Sequence, residues 1–141
     1  MEREERLEAI SYAEREILEG LADRVLEDLA VEVSRGPSVG LLMVRGEEPS
    51  ERLQFNFSEV TVSEAEVTAN GRRGYAMVMG RQPEKALAGA VLDVALELGH
   101  PASDDIEAAL TAALASEDRR RRSAVSAVAG TRVQFEEMKP T

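Results

Sequence analysis

Asn70-Gly71 lies between two runs of strand-like alternation, and this pair constrains the fold more than any other feature. Both residues tolerate positive φ, so they join neighbouring strands through a tight two-residue turn. On the far side, Tyr75, Met77 and Met79 share one face of a strand over Arg72–Met79, and Gly74, Ala76 and Val78 share the other. Both faces are apolar or small, which predicts a central strand. On the near side, Leu53, Phe55 and Phe57 alternate with polar residues, but Val60 and Val62 occupy the opposite parity. A parity change turns side chains to the other face, so an irregularity is expected at Ser58-Glu59. Parity changes again before Ala65 and Val67, which predicts a second irregularity near Ser63-Glu64.

Helical periodicity flanks this block. Leu7 and Ile10 begin a short first helix ending near Ser11. Ser11-Tyr12-Ala13-Glu14 has the spacing of a capping box and opens a second helix to about Ala30, with Ile17, Leu18, Leu21, Val25 and Leu29 on its apolar stripe. Val31–Arg35 alternates as a strand, Arg35-Gly36-Pro37-Ser38 reads as a turn, and Val39–Val44 reads as a strand buried on both faces. Gly46–Ser50 is a loop. Pro83 suits the first turn of a helix that Gly99-His100-Pro101 stops. Ser103-Asp104-Asp105 starts another helix, and Ser116–Ala129 reads as a separate third one. Thr131–Phe135 alternates as a closing strand, with Val133 and Phe135 facing the core and Arg132 and Gln134 facing outward. The fold class is α+β: a single domain over 1–141 with a mainly antiparallel sheet. It comprises a helical lead-in (1–30), an antiparallel strand block (31–80), helices (81–130) and a closing strand (131–137).

Composition narrows the chemistry. The 141 residues form one domain with a core large enough to need no staples. Cysteine is absent, which excludes disulfides, thiolate metal sites and cysteine nucleophiles. The charged start, Met1-Glu2-Arg3-Glu4-Glu5-Arg6, has no signal-peptide pattern, no apolar run spans a bilayer, and a cytoplasmic protein is expected. The formal net charge of −10 repels a phosphate backbone, so nucleic acid is not an expected partner. Arg119–Arg122 is the one basic run, and on a helix its four side chains point in four directions. The aromatics are Tyr12, Phe55, Phe57, Tyr75 and Phe135, too few for a stacking platform.

No catalytic, cofactor or metal constellation stands out. His100 is the sole histidine and reads as a loop residue after a helix. Glu59, Glu64 and Glu66 lie in the strand block, and Asp93 and Glu97 share a helix face. Paired carboxylates can move protons or hold magnesium, yet an acidic chain supplies such pairs by chance. Gly80-Arg81-Gln82-Pro83 leads a strand into a helix, where free N–H groups and a guanidinium suit a phosphate. Pro83 removes one donor and Glu84 opposes an anion, so an ordinary turn with an exposed arginine is the simpler reading.

Several segments resemble the PhnG family, a subunit of bacterial carbon–phosphorus lyase. They are Gly40–Gly46, Phe55–Val67 with Glu59, Gly74-Tyr75, Val78-Met79-Gly80-Arg81, Ala86–Val94 with Asp93, and Thr131–Phe135 with Met138. Their order runs through about residues 36–138. Ser58, Val94 and Lys139-Pro140-Thr141 depart from the family's pattern. The resemblance implies a cytoplasmic complex with PhnH, PhnI and PhnL that transfers the ribose triphosphate of ATP to methylphosphonate and releases adenine. PhnJ then cleaves the carbon–phosphorus bond. ATP and Mg are implied for the complex, and no cofactor for this chain alone. The chain is expected to be structural or co-catalytic, and a homodimer when isolated. Glu59, Arg81, Asp93 and Arg132 are the candidate contacts to a partner or a phosphate. The alternative is a stand-alone homodimeric small-molecule-binding protein or carboxylate enzyme sharing only the fold.

Overall fold

The computed structural model describes residues 1–46 and 56–128. The described elements are α1 (Arg3–Tyr12), α2 (Arg15–Leu26), β1 (Glu32–Gly46), β2 (Asn56–Ala69), β3 (Arg72–Met79), α3 (Pro83–Glu97) and α4 (Ser103–Val128). The three strands form one antiparallel sheet in the order β1-β2-β3. This is an α+β arrangement, as the sequence predicts. The expected closing strand, and with it Arg132, lies outside the described residues, as do Leu53 and Phe55.

The hairpin forms where expected. Asn70 and Gly71 have φ of 48° and 79°, and the ladder closes on Ala69 opposite Arg72. The turn therefore fixes which residues face α3. Ala65, Val67 and Ala69 on β2, with Gly74, Ala76 and Val78 on β3, are buried under it.

Helix α3 is the centre of the molecule. Ten of its fifteen residues are buried, which requires an apolar surface nearly all round. Small residues let its neighbours approach. A Cβ on Gly74 would collide with the Ala90 carbonyl and lie 2.7 Å from the Val94 nitrogen. A Cβ on Gly89 would lie 2.5 Å from Ile10 Cγ2 and 2.9 Å from Ala76 Cβ. The sheet thus packs on one side of α3 and α1 on another. Ile10, Leu18, Val25, Leu92, Val94, Ile106 and Leu110 belong to the core this creates.

Several expectations are corrected. Ser11 does not cap α2: its hydroxyl donates to Glu8 O at 2.8 Å, and α2 starts after Glu14 without a side-chain cap. The expected strands at 31–35 and 39–44 are one strand, β1. Its Gly36-Pro37 is a bulge: Arg35 pairs with Glu66 and Ser38 with Glu64, so two residues of β1 stand opposite one of β2. Gly36 has φ of 80°, and a Cβ there would meet Glu64 O at 2.8 Å. The irregularity expected on β2 near Ser63-Glu64 therefore sits on β1 instead. None occurs at Ser58-Glu59, where the ladder runs unbroken from Ser38↔Glu64 to Gly46↔Asn56. Parity demands an irregularity only if every apolar residue serves one core. Val60 and Val62 instead point to the face of the sheet away from α3, where Val60 is half-buried and Val62 is 6% exposed. Among the described residues β3 lies at the edge of the sheet, whereas the sequence predicts a central strand. The helices expected at 103 and 116 are one, α4: its buried stripe fades after Leu110, but its backbone continues to Val128. No helix among the described residues is long and apolar enough to cross a membrane.

Candidate functional site

The expected carboxylate pair on α3 is an internal tie. Asp93 is 0% exposed, and its oxygens receive Arg6 Nε at 2.8 Å, Arg3 Nη2 at 2.9 Å and the backbone N–H of Tyr75 at 2.9 Å. Arg6, itself buried, donates a second bond to Glu97 at 2.6 Å. That bond holds the Glu97 carboxyl below the usual glutamate value, against a smaller opposing effect of burial. One carboxylate thus joins α1, α3 and β3. A buried pair of this kind is weak evidence for net stability, but breaking it leaves an unpaired charge. The sequence pattern missed Arg3 and Arg6. Their i, i+3 spacing puts them on one helix face, the available signal, but nothing local identifies a partner ninety residues away.

Two other ties fix the start of α3. Lys85 Nζ donates to Ser11 O at 2.9 Å, placing an ammonium at the carbonyl end of α1. Burial pushes this lysine below its ordinary value. At the β3–α3 turn, Ser63 Oγ donates to Gly80 O and accepts from Gln82 N–H, both at 2.7 Å. Gly80 N–H donates to Thr61 O at 2.7 Å. Two backbone donors of this turn are therefore already engaged, and Arg81 stands exposed on its surface. His100 joins two turns: its Nδ1 accepts from Ala102 N–H at 3.0 Å, so Nε2 carries the proton toward Asp28 at 2.6 Å. Among the described residues, no group of three or more His, Asp or Glu side chains is placed to hold a metal.

Among the described residues no helix packs on the sheet face away from α3, and this face has two parts. Toward the hairpin it is polar. Tyr75 Oη donates to Glu64 at 2.6 Å, while Glu66 faces Arg73 and Ser34. Burial, then the bond to Glu64, pushes the Tyr75 phenol up to about 12. Away from the hairpin the face turns apolar, with Leu42 opposite Val60 and Val62 opposite Met79. β3 ends there, and α3 starts at Pro83 and runs back over the sheet. β1 and β2 continue past that point as a two-stranded arm. Leu41, Leu42 and Met43 on the arm are 67%, 42% and 59% exposed. The sequence predicts burial on both faces for this strand; the structure leaves both open. Glu59 is exposed on the same arm, opposite Met43. Of the four candidate contacts, Glu59 and Arg81 are at the surface, Asp93 is interior, and Arg132 is outside the described residues.

Fold and surface define a small α+β protein with a tied, alanine-rich body and an uncovered apolar arm. Comparison with known proteins places it more closely. The PhnG family, described as "Phosphonate metabolism protein PhnG", matches residues 1–139, and the chain belongs to that family. A relative is the "Alpha-D-ribose 1-methylphosphonate 5-triphosphate synthase subunit PhnG" of Rhizobium meliloti (strain 1021). It is 36% identical over 104 residues, covering 72% of this chain and 65% of the relative. The matched part is thus just under two thirds of that relative's length.

Proposed function

We propose that this chain is the PhnG subunit of a ribose 1-methylphosphonate 5-triphosphate synthase. The observation that carries the reading is the family match along residues 1–139, with a relative named as that subunit. The geometry agrees in kind: the paired carboxylates of α3 are engaged inside the protein, and the uncovered surface is the arm. The substrates would be ATP, with Mg, and methylphosphonate, and adenine would be released. The partners would be PhnH, PhnI and PhnL, with PhnJ acting afterwards on the product in the cytoplasm. This chain would support that chemistry rather than carry it. Glu59, Arg81 and Arg132 remain its candidate contacts, and Asp93 acts by holding α1 and β3 to α3. Isolated, the chain would pair with a second copy through an open strand edge.

Reconstitution tests the role. Purified PhnH, PhnI and PhnL with ATP, magnesium and methylphosphonate should release adenine only when this chain is added. The chain alone should release none. Turnover by the lone chain would move the chemistry into it, and undiminished turnover without it would overturn the subunit role.

A further inference from the structure

Three consecutive apolar side chains, Leu41, Leu42 and Met43, are exposed on the arm. Successive strand residues point to opposite faces. Leu42 and Met79 therefore stand exposed on the face away from α3, beside half-buried Val60 and buried Val62, while Leu41 and Met43 stand on the other face beside Thr61 and Glu59. A two-stranded ribbon is at best marginally stable alone. Exposed apolar side chains on both of its faces, packed against no other described element, mark a contact.

We infer that the arm, residues 39–46 with 56–61, inserts between two apolar walls of a different protein, whose rim carries Lys or Arg side chains facing Glu59. This deepens the subunit reading and rests on it. Charge selects the occupant. The chain carries a net −10, and Glu59 is exposed at the arm. A second copy would bring the same charge and the same glutamate to the same place. Along β1 an unbroken pairing with it would run only from Ser38 to Gly46, because Pro37 has no N–H to share, and edge pairing leaves both faces open. A basic-rimmed partner turns this charge into attraction and speeds encounter. Met43 and Met79 suit such a contact because their unbranched side chains adapt to the wall they meet.

The test is co-expression of the full chain with PhnH, PhnI and PhnL, followed by native mass spectrometry of the complex. The variants are Leu42→Asp for one face, Leu41→Asp with Met43→Asp for the other, and Glu59→Lys for the rim. The aspartate variants should reduce recovered complex at least tenfold. Glu59→Lys, which disturbs no packed contact, should weaken assembly and flatten its dependence on salt. Thermal midpoints of the isolated variants should stay near that of the unaltered chain. Undiminished assembly of all three variants overturns the inference while leaving the subunit reading intact. Failure of the unaltered chain to assemble overturns both. A homodimer that Leu42→Asp disperses while the mixed complex persists assigns the arm to a second copy, which also overturns it.

Discussion

The sheet under α3 and the sheet beyond Val62 use similar residues to opposite effect. In the body, Ala65, Val67, Ala76 and Val78 are almost wholly buried against a helix drawn close by Gly74 and Gly89. In the arm, Leu41, Leu42 and Met43 are at least as apolar and stand exposed. The difference is coverage, not composition. The β3–α3 turn, held by Ser63 to Gly80 and Gln82, sends α3 back over the body and away from the arm. The body is thus specified by the chain's own contacts, whereas the arm carries apolar surface that no other described element covers.

Substitutions should separate the two regions, and the largest effect belongs to the body. Arg6→Met strands the buried Asp93 and should cost about 3–5 kcal/mol, read as a lowered urea midpoint. A midpoint close to the original would show that Arg3 and the Tyr75 N–H suffice for Asp93. Gly74→Ala drives a methyl into the α3 backbone and should cost about 1–3 kcal/mol. An unchanged midpoint would mean that β3 and α3 separate freely, against the close packing described.

A smaller effect should follow pH. Arg6 lowers the Glu97 carboxyl, so the folded protein binds that proton more weakly than the unfolded chain does. The resulting stability is present above the ordinary glutamate value and is lost as pH falls through the lowered one. Acid titration of stability should therefore be shallower in Glu97→Gln than in the unaltered chain; identical slopes would remove Glu97 from the acid response. The smallest effect belongs to the arm. Leu41→Thr should change the stability of the isolated chain by no more than about 0.5 kcal/mol, as at other exposed sites. A loss of several kcal/mol would mean that the monomer itself packs this side chain.

The body was largely legible in the sequence because its signals are local. Asn70-Gly71 marks the hairpin, Pro83 starts α3, and Gly99, with φ of 67°, ends it. The arm was misread because alternation reports which side chains avoid water, not what covers them. Val39–Val44 looked doubly buried, and Val60 and Val62 seemed to demand a bulge, only because one core was assumed. Gly36-Pro37 looked like a turn between two strands because a bulge uses the same residues. Of the candidate contacts, Glu59 and Arg81 lie where an outside group can reach them. Asp93, expected as a contact to a partner or a phosphate, is engaged inside the protein instead, and its partners Arg3 and Arg6 are too distant in sequence for any pattern to supply.

Hydrogen exchange on the isolated chain and on the chain assembled with the proposed partner subunits would test the division between body and arm most directly. In the isolated chain, amides of β3 and α3 should exchange slowly and those of 39–46 and 56–61 much faster, because the ribbon can open without unfolding the body. On assembly the arm amides should slow at least tenfold while those of the body change little. Equal protection of arm and body in the isolated chain, or arm exchange unaltered by assembly, would contradict the account.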